Sequence, residues 1–367
     1  MSTDALPARL CGTLHLFVAF DWGDEIDLAH AARLVPSELQ TLARRSRTPA
    51  SVVYRPAPLR IRVDPVALGT FPDGRSMVAT AELTLFDFAA VSLAMQLPFE
   101  CTAADLRQWA GALSEPESVV QAARAALGPL FDRLRPAIED PAWSALSEEY
   151  FVFHFPPGSS LSAPAKLVAD HAAWLAGLLR LEDEPLSPDE VAEALRLRIT
   201  YTPEDLFVAD WSAALLIDQA CDETLKTIEF ANLQLLEFRH IDNRLDDRLA
   251  TASRLIRPQR HRFAPFGARV GRRLRDLGEL RIEVYDVYER TGNALKLVGD
   301  QYLARVYQIL ATRFHMAEWQ KSIERALAVV EGAYQVVSDE SDTTRAETLE
   351  WIVIVLIAVE VGLALLH

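Results

Sequence analysis

The stretch that most constrains this chain is its last apolar run, Leu349 to Leu366, reading LEWIVIVLIAVEVGLALL. From Trp351 onward it carries a single charged residue, Glu360. At a helical rise of ~1.5 Å per residue those residues make a rod of roughly 24 Å, to be set against a bilayer core of ~30 Å. The run is therefore a short but admissible span. It predicts a C-terminal transmembrane helix at the cytoplasmic membrane, with the bulk of the protein on the cytoplasmic side. A carboxylate is costly against lipid, so Glu360 is expected to face a helix–helix interface, where Gly362 allows close approach. The other reading keeps the tail out of lipid, as the core of an oligomer with Glu360 on its wet edge.

Upstream lies a chain long enough, at 367 residues, for two domains with cores of their own. Its net charge of −15 argues against a surface that binds nucleic acid or anionic lipid everywhere, so such a contact needs a local patch. Cys11, Cys101 and Cys221 stand far apart with no CxxC or Cys/His spacing, which suggests neither a disulfide framework nor a zinc site. The N-terminal residues lack a basic stretch followed by a clean apolar one, so no export signal or transit peptide is expected.

The first half has an α+β pattern with a mostly antiparallel sheet. Leu14–Phe20, Val52–Tyr54, Leu59–Val63, Val78–Phe86, Ala89–Leu97 and Tyr150–Phe155 have strand composition, punctuated by Pro56, Pro58 and the Pro72-Asp73-Gly74 turn. Helices are expected from DWGDEIDL to about Arg45, from the Thr102 cap through Leu113, and over Glu117–Leu134. Ser162–Leu181 reads as one helix. Ser187-Pro188-Asp189-Glu190 supplies an N-cap, a proline at N1 and an acid at N3 for another, ending near Leu197. Leu206–Ile217 stays open between strand and helix.

From Asp222 to Ile256 the apolar period becomes a heptad. Ile228, Leu235, Asp242 and Leu249 share one position, and Ala231, Phe238 and Leu245 share its partner. That seam fits either a coiled coil or a long helix in an ordinary bundle. Two more long helices are expected, from about Arg269 to Phe314 and from Ala317 to Val337. The domains are then 1–220 (α+β), 221–345 (a helical hairpin) and 346–367 (the hydrophobic helix).

Three blocks, ETLKTIEFANLQLLEFRHIDNRLDD (Glu223–Asp247), NALKLVGDQYLARVYQILATRFHMAEWQKSIERAL (Asn293–Leu327) and ETLEWIVIVLIAVE (Glu347–Glu360), resemble in order those of the required for meiotic nuclear division family. The resemblance implies an α+β N-terminal part, long C-terminal helices and a terminal hydrophobic helix. It also implies a membrane-associated, oligomeric, non-enzymatic protein, whose mitochondrial relatives support translation. Without a transit peptide this chain is similar to a bacterial member. No catalytic residue is carried over.

Two clusters remain. Arg254, Arg257, Arg260, Arg262, Arg269, Arg272, Arg273 and Arg275 crowd the connection between the two long helices, where they suit RNA, ribosomal or lipid phosphates, or pair with acids such as Asp242 and Asp246. Asp21, Asp24, Glu25 and Asp27 form an acidic turn of the kind a metal-dependent enzyme needs, although capping and the helix dipole explain it equally. No GxGxxG, P-loop, HExxH or GxSxG occurs. The sequence thus predicts a membrane-anchored homo-oligomeric scaffold without cofactor or metal. The alternatives are an oligomer built on its C-terminal helices and a metal-dependent enzyme using the acidic turn.

Overall fold

The computed structural model describes residues 6–36, 38–39, 56–70, 74–158, 161, 163–256, 301–332 and 335. Its chain divides into two compact units, one of residues 1–237 and 291–317 and one of residues 238–290 and 318–367. The first is mixed α and β and is built on a nine-stranded sheet.

In chain order the strands are β1 (Leu10–Asp21), β2 (Glu25–Ile26), β3 (Glu38–Leu39), β4 (Leu59–Thr70), β5 (Ser76–Leu85), β6 (Ala90–Cys101), β7 (Ile138–Glu139), β8 (Ser147–Phe155), β9 (Arg198–Ile199), β10 (Leu206–Ala209) and β11 (Ala213–Ile217). The large sheet runs β3-β4-β5-β6-β1-β8-β11-β10-β9, and β2 with β7 makes a small ribbon. Every pairing in the large sheet is antiparallel except β8 with β11. The ambiguous segment at Leu206–Ile217 is the β10–β11 hairpin. Its strands are buried throughout, so no alternation marks them.

Side chains alternate across the sheet. Leu14, Leu16, Val18 and Phe20 of β1 join Phe151, Phe153 and Phe155 of β8 in the main core. Helices α2 (Ala103–Ala112), α3 (Glu117–Leu134), α4 (Pro164–Asp170), α5 (Ala172–Arg180) and α6 (Pro188–Ala194) contribute to the same core. Thr102 and Asp105 form the expected capping box of α2, and the Ser187 side chain caps α6. α1 (Leu28–Leu34) stops well before Arg45. Pro36 disfavours helical geometry at Val35, which sits at φ −135°, ψ 148°. The helix expected over Ser162–Leu181 is two, broken at His171 (φ −128°, ψ 29°).

The opposite face presents His15, Phe17, Ala19 and Asp21 of β1. Ala19 packs with Phe86, Ala90, Leu233 and Leu236 in a second, smaller cluster. Leu233 and Leu236 belong to α7 (Asp222–Ile256), a single helix of 35 residues. Gln301–Arg313, here α8, follows it in the first unit. A further helix occupies 316–332 and buries Met316, Ile323 and Val330 at every seventh position.

No helix among the described residues is long and apolar enough to cross a membrane. α7 is long enough but carries charges along its whole length, among them Lys226, Glu229, Asp242 and Arg244. The expected placement at the cytoplasmic membrane through a transmembrane helix is corrected accordingly. Trp351, Glu360 and Gly362 lie outside the described residues, as does the strand expected at Val52–Tyr54.

Candidate functional site

The face of the sheet beneath α7 holds most of the unusual chemistry in the first unit. Where the other face is lined by leucine and phenylalanine, this one carries His15, Arg60, Glu82, Thr84, Ser92, Glu148 and His154. Strand pairing assembles them: Arg60 lies opposite Thr84, Thr84 opposite Ser92, and Ser92 opposite Ala19, which in turn faces Glu148. α7 answers with polar side chains on its first turns. Thr224, Thr227, Glu229, Asn232 and Gln234 are all buried there, alongside Ile228, Ala231 and Leu235.

At one end, His154 grips the turn that leads from β11 into α7. Its Nε2 lies 2.9 Å from the Asp218 carbonyl oxygen and so carries the donated proton. That leaves Nδ1 as an acceptor, 3.9 Å from the Cys221 Sγ. The His15 ring stands 5.6 Å from the His154 ring, centroid to centroid. His15 is 6% exposed and its Nε2 has no hydrogen-bond partner. Burial, then the neighbouring His154, push its pKa down to about 4. Burial, then Asp222 and Asp218, push the Cys221 thiol up to about 11, which leaves it a neutral thiol near pH 7. Gly12 allows β8 to lie this close: a Cβ there would come 2.6 Å from the His154 carbonyl oxygen and 2.7 Å from Phe99.

Further along α7, Glu229 is buried near Ser92, Arg60, Glu82 and Lys226. Its Oε1 and Arg60 Nε make no hydrogen bond. Burial raises the Glu229 pKa, and Ser92 and Arg60 only partly oppose the rise. Burial likewise lowers Lys226, with Arg60 adding to the effect. Arg60 is paired with Glu82 at 2.7 Å. Asn232 donates to the Glu148 carbonyl oxygen at 3.0 Å, which ties the helix to β8.

A second buried polar group locks α8 in place. Arg313 Nε donates to the Ala209 carbonyl oxygen at 2.9 Å, and its Nη atoms reach Glu193 Oε1 and the carbonyl oxygens of Glu193 and Ala194. Asp210 lies between Arg313, at 3.4 Å, and Arg180, at 2.5 Å. Tyr150 donates its hydroxyl to the Asp210 carbonyl oxygen. Burial raises the Asp210 pKa against the pull of the two arginines. The ring pair Tyr201–Tyr302 sits at the start of the same helix, and Tyr150–Phe314 and Trp211–His315 lie just past its end.

Of the residues singled out from sequence, Ile228 and Leu235 share this buried stretch of α7. Ile228, Leu235 and Leu245 are buried and Asp242 is half-buried, while Leu249 and Arg254 lie within α7. Arg257, Arg260, Arg262, Arg269, Arg272, Arg273 and Arg275 are outside the described residues. In the acidic turn Asp21 is buried, Asp24 and Glu25 are exposed, and Asp27 accepts from the His30 backbone N–H as the cap of α1. No group of three or more His, Cys, Asp or Glu among the described residues is arranged to hold a metal ion. His15, His154, Cys221 and Glu229 were not evident beforehand. For the two histidines the one signal is a polar residue within an otherwise apolar strand, as in LHLFVAF and YFVFHF, whereas Cys221 and Glu229 lie in the turn and helix that follow β11.

Residues 11–223 match the family model described as uncharacterized protein MJ0711, N-terminal domain. The chain belongs to that family. Over 220 residues it is 27% identical to the uncharacterized protein MJ0711 of Methanocaldococcus jannaschii, a stretch that covers 59% of this chain and 66% of that protein. No solved structure matches the chain. The family match replaces the resemblance to the required for meiotic nuclear division family. Of the blocks that carried that resemblance, Glu223–Asp247 lies in α7 and the described part of Asn293–Leu327 is mostly helical, and helical heptad spacing imposes similar patterns on unrelated chains. The matched region holds the whole sheet and ends at the first residues of α7, so it includes His15, His154 and Cys221.

Proposed function

We propose that this protein is a non-enzymatic scaffold that assembles with further copies of itself, using its C-terminal helices as the core of the assembly. The observation that carries this reading is the change in burial along α7. Between Thr224 and Leu236 nearly every residue is buried, whereas beyond it Phe238, Ile241 and Leu245 form a single stripe with spacings of three and four. Such a stripe has the character of a helix-pairing seam, and here its side chains are covered within the one chain. Burial of Met316, Ile323 and Val330 at heptad spacing gives the helix at 316–332 the same character. On that helix Val329 is 55% exposed, an apolar side chain available to another copy. The polar groups under α7 also suit a structural role, because Cys221 is held as a neutral thiol and Glu229 is sealed beneath the helix.

Sedimentation equilibrium on the full chain tests the reading. Its expected mass is a multiple of 40.9 kDa at micromolar concentration. Val329→Arg should weaken association by about tenfold or more, ~1.4 kcal/mol, without loss of helix content. A species of 40.9 kDa across the whole concentration range would overturn it.

A further inference from the structure

The contacts of His154 concentrate on one short turn. Both its ring nitrogens are engaged there: Nε2–H with the Asp218 carbonyl oxygen and Nδ1 with the Cys221 thiol. Cys221 also starts α7, since its carbonyl oxygen accepts from the Leu225 N–H at 2.8 Å. With Nε2–H given to the carbonyl oxygen, a neutral ring offers Nδ1 as the acceptor for the Cys221 S–H. His15 packs against His154 from the next strand with its own Nε2 unpaired and buried.

We propose that the β11–α7 turn is a proton-sensitive latch, closed while His15 is neutral and opened when His15 takes up a proton. The surrounding charges support this. From β8 the group facing His15 is His154, and Gln96, its partner on β6, does not titrate. Asp218, Asp222 and, farther along α7, Lys226 and Glu229 act on Cys221 or on one another. Only burial and the second imidazole set His15, and both oppose its cation. A His15 of pKa about 4 when closed and ~6.5 when open lets the opening equilibrium rise on the order of 30-fold between pH 7.5 and 5. Opening frees the first turn of the helix that carries the chain out of the sheet unit.

Peptide-resolved labelling of the full chain with 4,4′-dithiodipyridine, with glutathione in the same solution as the reference thiol, reads the latch through Cys221. The Cys221-to-glutathione rate ratio should rise on the order of 30-fold from pH 7.5 to pH 5. In His15→Gln it should change less than about threefold, and His15→Phe serves if glutamine prevents folding. A flat ratio in the unsubstituted protein overturns the proposal. So does a full rise in the His15 variant, or an equal rise at Cys101 in β6, which would mean global unfolding.

Discussion

Arg313 shows what a single buried charge does here. Its side chain is 7% exposed and that of Asp210 only 3%, so neither charge is hydrated. Five donors in one plane let Arg313 satisfy three carbonyl oxygens and two carboxylates at once, which a lysine could not do. Arg313→Ala would leave Asp210 with Arg180 alone and strip donors from Ala209, Glu193 and Ala194, at a cost of about 3–5 kcal/mol. Urea denaturation of the first unit's fluorescence measures it, and a loss under ~1 kcal/mol would contradict the lock. Glu229 makes the opposite prediction. Its folded-state pKa is raised, so the folded state holds the extra proton above pH 4.5, and the associated stability is lost as pH climbs through the raised value. Glu229→Gln should therefore gain in Tm over the unsubstituted protein, and gain more at pH 7.5 than at pH 5. An equal or smaller gain at pH 7.5 would show that burial does not raise this carboxyl.

At the scale of elements, the legible features were those written locally. Thr102 with Asp105, and Ser187 with Pro188, specify helix starts through bonds to the next few residues, and both caps are present. Pro36 ended α1 by an equally local rule that the apolar pattern had masked. The β10–β11 hairpin was ambiguous because strands buried on both faces lose their alternation. His15, His154 and Cys221 could not be joined by reading, since their proximity depends on the β1–β8 register and on where α7 begins. Packing between helices shows the same dependence. The Arg107 guanidinium of α2 reaches the carbonyl oxygens of Ala173 and Trp174 and lies directly over Gly177 of α5. Gly177→Ala would place a methyl group against the guanidinium, so a loss of about 1–3 kcal/mol is expected. In an Arg107→Ala background the same change should cost less than ~1 kcal/mol, a non-additivity that a double-mutant cycle measures directly. Equal costs in both backgrounds would remove Arg107 from the explanation.

For the whole molecule, the family match stops at residue 223, just inside α7, whereas the first compact unit keeps α7 as far as residue 237 and takes in residues 291–317 as well. The mixed α and β character was readable from strand composition and from the switch to helical spacing after Pro156-Pro157-Gly158. Membrane placement was not, because apolar length alone cannot separate a lipid-facing helix from one that faces another protein helix. The assembled helical core we propose would give heptad stripes a use in a chain of net charge −15, since interhelical burial is not opposed at the seam itself. Native mass spectrometry of the full chain, diluted from tens of micromolar to tens of nanomolar, tests this claim most directly. One discrete multiple of 40.9 kDa is expected at the upper end, dissociating on dilution, with Val329→Arg dissociating at higher concentration. A 40.9 kDa monomer throughout, or an assembly unmoved by Val329→Arg, would contradict it.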